Sequence, residues 1–234
     1  MNLLRDIEDA RTLLLSGAIV AIPTETVYGL GGNARDPIAI RRIYATKGRP
    51  AGHPVIVHLA NTADWEEWGV FNEHARALAK AFWPGPLTLI LPRQKQVLDE
   101  VTGGRNTVGI RVPHHPTTQA LLTSFGSGLA APSANRFGHI SPTTAEHVYA
   151  EFGETVPILD GGPSQVGIES TIIDLSVEQP ALLRPGFIDK ASIEACNFSL
   201  LMSLVHSSHF FFQYSSSGSS PLWARFAEMG SLLR

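Results

Sequence analysis

Residues 47–58 read Lys47-Gly-Arg-Pro-Ala-Gly-His-Pro-Val-Ile-Val-His58 and set two cations and two histidines around a short apolar run. The run from Pro54 to Leu59 predicts a buried strand. A helix is expected before it, from Asp36-Pro37 to about Ala45, because Asp favours the N-cap and Pro the first helical position. A helix followed by a buried strand is the repeating unit of α/β folds.

The same alternation of helix and strand signals continues along the chain. Further helices are expected at Leu3–Leu14, Asn72–Phe82, Thr117–Phe125 and Thr143–Phe152, with a short one capped by Asn61. Further strands are expected at Ala18–Ile22, Leu87–Leu91, Val108–Val112, Leu129–Ala131, Val156–Leu159, Thr171–Asp174 and Ala181–Leu183. Several neighbouring strands lack the long crossover that a parallel pair needs. We therefore expect an α/β fold with a twisted mixed sheet flanked by helices.

The composition indicates a globular protein without a general attraction to nucleic acid. The chain has 234 residues, 44% of them hydrophobic, and a net charge of −3, so any RNA contact would need a local basic groove. The single cysteine, Cys196, excludes a disulfide framework and a cysteine-based zinc site within the chain. No signal peptide or membrane span is recognised, so we expect a cytoplasmic protein without membrane contact.

The composition changes near residue 190. Residues 1–190 hold 16 of the 18 basic and 19 of the 21 acidic groups, and the last 44 residues contain eleven serines. We therefore expect a catalytic domain over residues 1–190. Residues 191–234 are interpreted as an atypical serine-rich and apolar tail, a remnant of a longer linker and C-terminal domain.

The cations Lys47 and Arg49 are two residues apart and can both reach one polyphosphate. The alternative is a solvated basic helix end that complements the helix dipole. His53 and His58 lie at the two ends of the predicted strand, where structural roles are commoner than metal ligation. No third ligand stands nearby, and no metal site is predicted.

Arg111 lies inside the apolar alternation Thr107-Val-Gly-Ile-Arg-Val112. An arginine on a buried strand is costly unless it is paired. Its partner is either a bound carboxylate or phosphate, which the guanidinium can hold with two hydrogen bonds, or an internal Asp or Glu. The sequence leaves both alternatives open.

Other polar groups follow predicted strands in glycine- or proline-containing turns. Ser133 and Asn135 stand two apart in Ala131-Pro-Ser-Ala-Asn135 and can cap backbone or bind a ligand. The segment Pro23-Thr-Glu-Thr-Val-Tyr-Gly-Leu-Gly-Gly32 offers two hydroxyls and an acid, but its glycines match neither a dinucleotide fingerprint nor a P-loop. Gly167-Ile-Glu-Ser-Thr171 adds two hydroxyls, and Arg184 completes the polar set.

In their order along the chain, these stretches resemble the threonylcarbamoyl-AMP synthases of the YrdC-type family. The likeness is greatest to the longer bacterial and archaeal members, which carry a further C-terminal domain. The matching segments span nearly all of residues 1–186: Pro23–Gly32, Lys47–His58, Trp83–Thr88, Thr107–Pro113, Ala131–Thr144, Asp160–Asp174 and Leu182–Gly186. The resemblance implies a deep basic groove. It also implies a nucleotidyltransferase that makes threonylcarbamoyl-adenylate and pyrophosphate from L-threonine, bicarbonate and ATP, for threonylcarbamoyladenosine modification of tRNA.

The resemblance also implies roles for individual residues. Threonine would lie near Thr26, His58, Arg111, Ala131 and Ser170. ATP would lie against Lys47, Arg49, His53, Thr107, Ser133, Asn135, Ser141 and Arg184, among which Lys47, Arg49, Ser133 and Asn135 are the catalytic candidates. His53 departs from the asparagine expected at its position. Mg²⁺ would accompany ATP without a dedicated protein cage, and the partners would include tRNA and the machinery that transfers the threonylcarbamoyl group.

Two other functions suit the same fold. A catalytically inactive relative could bind double-stranded RNA in the groove, although the net charge of −3 argues against it. Carbamoyltransferases of hydrogenase maturation share this type of domain, but they add zinc-binding cysteine clusters, which a chain with one cysteine cannot form.

Overall fold

Nine short strands form one mixed sheet in the computed structural model, which describes residues 1–196 and 201–202. The strands are β1 Val20–Ile22, β2 Gly29–Asn33, β3 Ile56–His58, β4 Leu87–Pro92, β5 Thr107–Arg111, β6 Leu129–Ala130, β7 Thr171–Asp174, β8 Ala181–Arg184 and β9 Leu201–Met202. Their order across the sheet is β1-β2-β6-β3-β5-β4-β7-β8-β9. The pairs β3–β5, β4–β7 and β8–β9 are parallel and the others are antiparallel, which confirms the expected mixed sheet.

The strand register brings three polar side chains into one row near the middle of the sheet. Arg111, at the end of β5, is paired with His58 on β3 and with Thr88 on β4. Directly paired residues on neighbouring strands point to the same face. The row therefore places an imidazole, a guanidinium and a hydroxyl side by side.

Helices cover both faces of the sheet. They are α1 Ile7–Leu15, α2 Pro37–Lys47, α3 Glu73–Phe82, α4 Asp99–Thr102, α5 Pro116–Phe125, α6 Ala145–Phe152 and α7 Lys190–Glu194, with 3₁₀ turns at Trp65–Glu67 and Gly153–Thr155. Val20 and Ile22 of β1 pack into a cluster with α1 and α5, whereas Ala21 between them faces the larger core on the other side. Alternate residues of a strand point to opposite faces, so both faces are buried. Within residues 1–196 and 201–202, no helix is long and apolar enough to cross a membrane.

Two helix starts agree with the capping signals in the sequence, whereas α1 begins at Ile7, after its cap Asp6, and not at the expected Leu3. Asp36 accepts a hydrogen bond from the Ile38 backbone N–H at 2.8 Å, and Asn72 accepts one from Ala75 at 2.8 Å. The helix predicted after Asn61 is wrong. Only a 3₁₀ turn forms there, and it is capped by Asp64.

The strand predictions differ from the structure at β2, at β9 and at Val156–Leu159. The strand β2 was not expected, because Gly29-Leu-Gly-Gly-Asn33 contains three glycines and no β-branched residue. It forms because β1 and β6 pair with it on either side, and its glycines leave room for this close approach. A Cβ added to Gly29 would stand 3.2 Å from the Cβ of Ala131. Conversely, Val156–Leu159 is not a strand, since Ile158 makes only isolated bridges, to Leu3 and to Ala21.

The domain boundary near residue 190 stays a prediction, because most of residues 191–234 lie outside the described residues. Two features beyond the boundary belong to the sheet domain. Ile193 of α7 is fully buried in the main core, and β9 pairs with β8. Residues just past 190 therefore contribute to the fold.

Ile193→Ala should lower the free energy of unfolding by about 2–5 kcal/mol, because it removes a fully buried aliphatic side chain and leaves a cavity. The control is Ile140→Ala at a side chain that is 83% exposed, which should change stability by less than about 0.5 kcal/mol. Urea denaturation of the two variants measures both values. Equal and small effects would show that α7 contributes nothing to stability.

Candidate functional site

The guanidinium of Arg111 is the centre of a buried polar cluster at the ends of the middle strands. Nη1 donates to the Thr26 hydroxyl at 2.8 Å, Nε donates to the Gly85 carbonyl at 3.3 Å, and Nη2 lies 2.8 Å from the Glu25 carboxylate. Arg111 and Glu25 are each only 4% exposed. The internal ion pair, one of the two alternatives that the sequence left open, is therefore present in the structure.

His58 is neutral beside this cation. Burial, reinforced by the positive charge of Arg111, lowers the pKa of its imidazole to about 3. Its Nδ1 is buried and has no hydrogen-bond partner. The row therefore combines a cation with an uncharged imidazole that has unused hydrogen-bonding capacity.

A chain of hydrogen bonds continues from the row to a second ion pair. Thr88 and Ser170 share a hydrogen bond of 2.8 Å between their hydroxyls, and Arg184 donates to the Ser170 hydroxyl at 2.9 Å. Arg184 also lies 3.1 Å from Glu169, which accepts from the Ser141 hydroxyl at 2.8 Å. These contacts connect the ends of β4, β7 and β8 with the loop before α6.

The Glu169 carboxylate stays ionised although it is half-buried. Burial raises its pKa, but the charges of Arg184, Arg111 and Lys47 and the hydrogen bond from Ser141 outweigh that effect and hold the pKa below its usual range. The Glu169 carboxylate therefore interacts electrostatically with Arg111 at one end of the site and with Lys47 at the other.

Lys47 is the last residue of α2 and is buried, so the alternative of a solvated helix end is wrong. The helix also runs two residues further than expected. The ammonium donates to the backbone carbonyls of Ser133 and Asn135, both at 2.5 Å. Gly48 has φ of 63° with open space around it, so it serves as the left-handed C-cap and not as a point of close approach. Burial, followed by the nearby charge of Arg49, lowers the pKa of Lys47 to about 7.

Arg49 and His53 meet around one aromatic ring. Arg49 donates to the Pro54 carbonyl at 2.9 Å and lies 6.0 Å from the centre of the Phe137 ring, which His53 contacts edge-on at 5.6 Å. The Asn135 amide donates to the carbonyls of Arg136 and His139, while its Oδ1 is buried without a partner.

The structure brings most of the candidate residues into two neighbouring groups. Thr26, His58, Arg111, Ser170, Ser141 and Arg184 belong to the Arg111 end, and Lys47, Arg49, His53, Ser133 and Asn135 to the other. Ala131 is buried between β2 and β3, with its N–H bonded to the Ile56 carbonyl at 3.0 Å. Thr107 lies at the opposite end of β5, four residues from Arg111 and so roughly 13 Å away along the strand.

Sequence reasoning missed Glu25 and Glu169 as partners of the two arginines. Each stands next to residues that were identified, in Thr24-Glu-Thr26 and in Glu169-Ser-Thr171. An acid adjacent to hydroxyl residues, beside a buried strand, was the available signal. Its arginine partner is distant in sequence, at 86 residues from Glu25 and 15 from Glu169, and spacing alone does not connect them.

Two cavities of the described part lie away from this cluster. One of about 470 Å³ is bounded by Trp65, Phe71 and Arg76, and one of about 290 Å³ lies beside Trp68 and Ser127. Neither contains the buried charges, so the site is identified by its chemistry and not by cavity size. Among residues 1–196 and 201–202, no three His, Cys, Asp or Glu side chains come together as metal ligands.

Comparison with known proteins gives the following matches. The Sua5_yciO_yrdC family model, described as telomere recombination, matches residues 12–186. The threonylcarbamoyl-AMP synthase of Bacillus subtilis is 49% identical over 192 residues, which cover 81% of this chain and 56% of the relative. That of Pyrococcus abyssi is 47% identical over 187 residues, which cover 79% of this chain and 55% of the relative. This chain thus spans about half the length of those relatives.

A solved structure matches most of the fold. The crystal structure of P. abyssi Sua5 complexed with L-threonine superposes with a TM-score of 0.83 at 38% identity, covering 97% of this chain and 72% of that one. The superposition supports the α/β sheet described above.

Replacing His58 by Asn should make stability less sensitive to acid. The unfolded imidazole, with its ordinary pKa of about 6.5, binds a proton that the folded one does not bind until about pH 3. Wild-type stability should therefore fall as pH decreases from about 6.5 towards 3, by up to about 1.4 kcal/mol per pH unit from this group. Denaturation of both proteins between pH 7.5 and 4.5 measures the difference. The difference in free energy of unfolding between the two proteins should be constant above pH 7. If the two free energies fell in parallel below pH 6, the prediction would be wrong.

Proposed function

This chain belongs to the Sua5/YciO/YrdC family, and from that membership we propose that it makes threonylcarbamoyl-adenylate and pyrophosphate from L-threonine, bicarbonate and ATP. One observation carries the proposal. Lys47 and Arg49 lie together at one end of a buried site and form no ion pair within the described residues, while a second, paired arginine lies at the other end. Such a site suits a phosphate chain at one end and an amino acid at the other.

The amino acid is assigned to the end that contains Arg111, whose guanidinium would hold its carboxylate. Thr26, Ala131 and Ser170 would line this end. Neutral His58 has an unpaired Nδ1 that can hydrogen-bond to a side-chain hydroxyl without adding charge. The P. abyssi protein that matches this fold was crystallised with L-threonine, which supports this assignment.

ATP is assigned to the end that contains Lys47 and Arg49. The positive charge of Arg49 contributes to the lowered pKa of Lys47, and a polyphosphate beside both cations would offset that repulsion. Ser133 and Asn135 hold Lys47 in place through their carbonyls, and the unpaired Oδ1 of Asn135 is left to accept from a ligand. We also assign His53 to this ligand and, from the sequence resemblance, Thr107, Ser141 and Arg184, of which Ser141 and Arg184 would reach ATP from the Arg111 end.

In the proposed reaction the protein would mainly position the reactants and neutralise charge. The threonine amine and bicarbonate form a carbamate with loss of water. A carbamate oxygen then attacks the α-phosphorus of ATP, and the bond to the pyrophosphate oxygen breaks. ATP would arrive as its Mg²⁺ complex, held by phosphate oxygens and water. Lys47 and Arg49 would offset the charge that develops on the phosphates.

The product would then serve as an activated donor. We propose that it supplies the threonylcarbamoyl group of a modified adenosine in tRNA, through a separate transfer machinery, in the cytoplasm. The names of the relatives support the adenylate product.

Purified protein supplied with MgATP, L-threonine and bicarbonate should release pyrophosphate and form threonylcarbamoyl-adenylate. Omitting either threonine or bicarbonate should abolish release, because ATP is attacked only by the carbamate. Coupled pyrophosphate detection and mass spectrometry of the adenylate measure the two products. ATP turnover that ignores threonine, or double-stranded RNA binding with no turnover, would contradict the synthase proposal.

Arg111→Lys should raise KM for threonine by about 10- to 100-fold and change KM for ATP little, because a single ammonium lacks the several fixed N–H donors that hold Thr26, Gly85 and Glu25 and would also bind the substrate carboxylate. Lys is used because it keeps a positive charge beside Glu25. Arg49→Gln should show the reverse pattern, since it removes a phosphate contact.

Steady-state kinetics with each substrate varied in turn separate the two effects. Arg5→Lys, at an arginine whose side chain is 86% exposed, is the control and should behave as wild type. Equal changes in both KM values for both site variants would overturn this division of the site.

A further inference from the structure

Unpaired polar atoms concentrate around Arg111. In the described part of the chain, nine buried side-chain nitrogen and oxygen atoms have no hydrogen-bond partner, and four of them belong to Glu25, His58 and Arg111. They are both carboxylate oxygens of Glu25, Nδ1 of His58 and Nη2 of Arg111. Nη2 and Oε1 approach to 2.8 Å as an ion pair without the alignment of a hydrogen bond. Buried polar atoms are normally satisfied, so this concentration marks a site that a ligand completes.

The backbone of Glu25 is held in place by its own turn. The Thr24 hydroxyl accepts from the N–H groups of Thr26 and Val27 and donates to the Val27 carbonyl at 2.6 Å. The backbone carbonyl of Glu25 accepts from the Val166 N–H at 2.7 Å. The turn therefore keeps the Glu25 backbone next to Arg111, and a ligand must share Arg111 with the carboxylate that already lies 2.8 Å from its Nη2.

The charges of these groups determine which ligand can share Arg111 with Glu25. Arg111 contributes +1 and Glu25 −1, while His58 is neutral, and His115 is the other titratable group whose pKa responds to Glu25. A simple carboxylate would leave the buried cluster with an unbalanced negative charge, which is costly at low dielectric. A zwitterion would add no net charge. Its carboxylate and ammonium stand as close together as the two protein charges do.

We propose that Glu25 receives the α-ammonium of the amino-acid substrate, so that the Arg111–Glu25 pair selects a zwitterion over a simple carboxylate. The proposal rests on the function proposed above, because it assumes that Arg111 holds the substrate carboxylate. The unpaired atoms complement a hydroxy amino acid. Its carboxylate would share Nη2 with Oε1 of Glu25, its ammonium would donate to Oε2 of Glu25, and its hydroxyl would donate to Nδ1 of His58.

The test compares three ligands by calorimetry: L-threonine, (R)-3-hydroxybutyrate, which lacks the ammonium, and L-threoninol, which lacks the carboxylate. Wild-type protein should bind L-threonine at least about 10- to 100-fold more tightly than 3-hydroxybutyrate, the value expected for one charged hydrogen-bonded contact. Glu25→Gln should bind L-threonine more weakly than wild type by about the same 10- to 100-fold. It should bind 3-hydroxybutyrate as tightly as wild type or more tightly. Any binding of L-threoninol to wild type should be lost in Glu25→Gln, because the variant lacks the partner of the ammonium.

Each result decides the proposal. Equal weakening of L-threonine and 3-hydroxybutyrate in Glu25→Gln would show that Glu25 only positions Arg111, and no weakening of either would also overturn the proposal. Glu25→Asp, which keeps the charge, should retain preference for the zwitterion, and it provides a second variant if Glu25→Gln does not fold. The wild-type comparison needs no variant. Wild type that binds L-threonine and 3-hydroxybutyrate equally would overturn this inference alone, whereas wild type that does not bind L-threonine would overturn the proposed function with it.

Discussion

The burial of Arg111 on a middle strand is the constraint on which the site depends. A guanidinium there must be satisfied from several directions, because water does not reach it. The turn after β1 supplies Glu25 and Thr26, and the loop before β4 supplies the Gly85 carbonyl. One buried cation thus ties together segments that are far apart in sequence.

Lys47 shows the same principle with a different solution. Its ammonium is buried at the end of α2 and is held by two backbone carbonyls instead of a carboxylate. Carbonyl dipoles stabilise the cation without cancelling its charge, and a bound anion would offset the burial that lowers its pKa to about 7. The paired Arg111 and the Lys47 that forms no ion pair within the described residues are the basis on which we assign different ligands to the two ends of the site, a zwitterion to the first and a polyphosphate to the second.

Sequence patterns predicted the elements whose signals are local. The caps Asp36 and Asn72 and the strands at Leu87 and Thr171 are read correctly from neighbouring residues. The strand β2 and the burial of Lys47 are not, because both depend on partners distant in the chain. β2 is stabilised by pairing with β1 and β6, and Lys47 by carbonyls more than 80 residues away.

The site residues divide in the same way. Arg111 is recognisable because a charge within an apolar strand requires a partner, but only the three-dimensional structure shows that Glu25 is that partner. The Arg111–Glu25 pair also bears on which ligands the site can bind. An unpaired Arg111 would make the empty site a receptor for any carboxylate. Pairing it with Glu25 balances the buried charge of the arginine. If Glu25 receives the substrate ammonium as we propose, the interaction that makes burial of the arginine tolerable would also restrict binding to ligands that carry both charges.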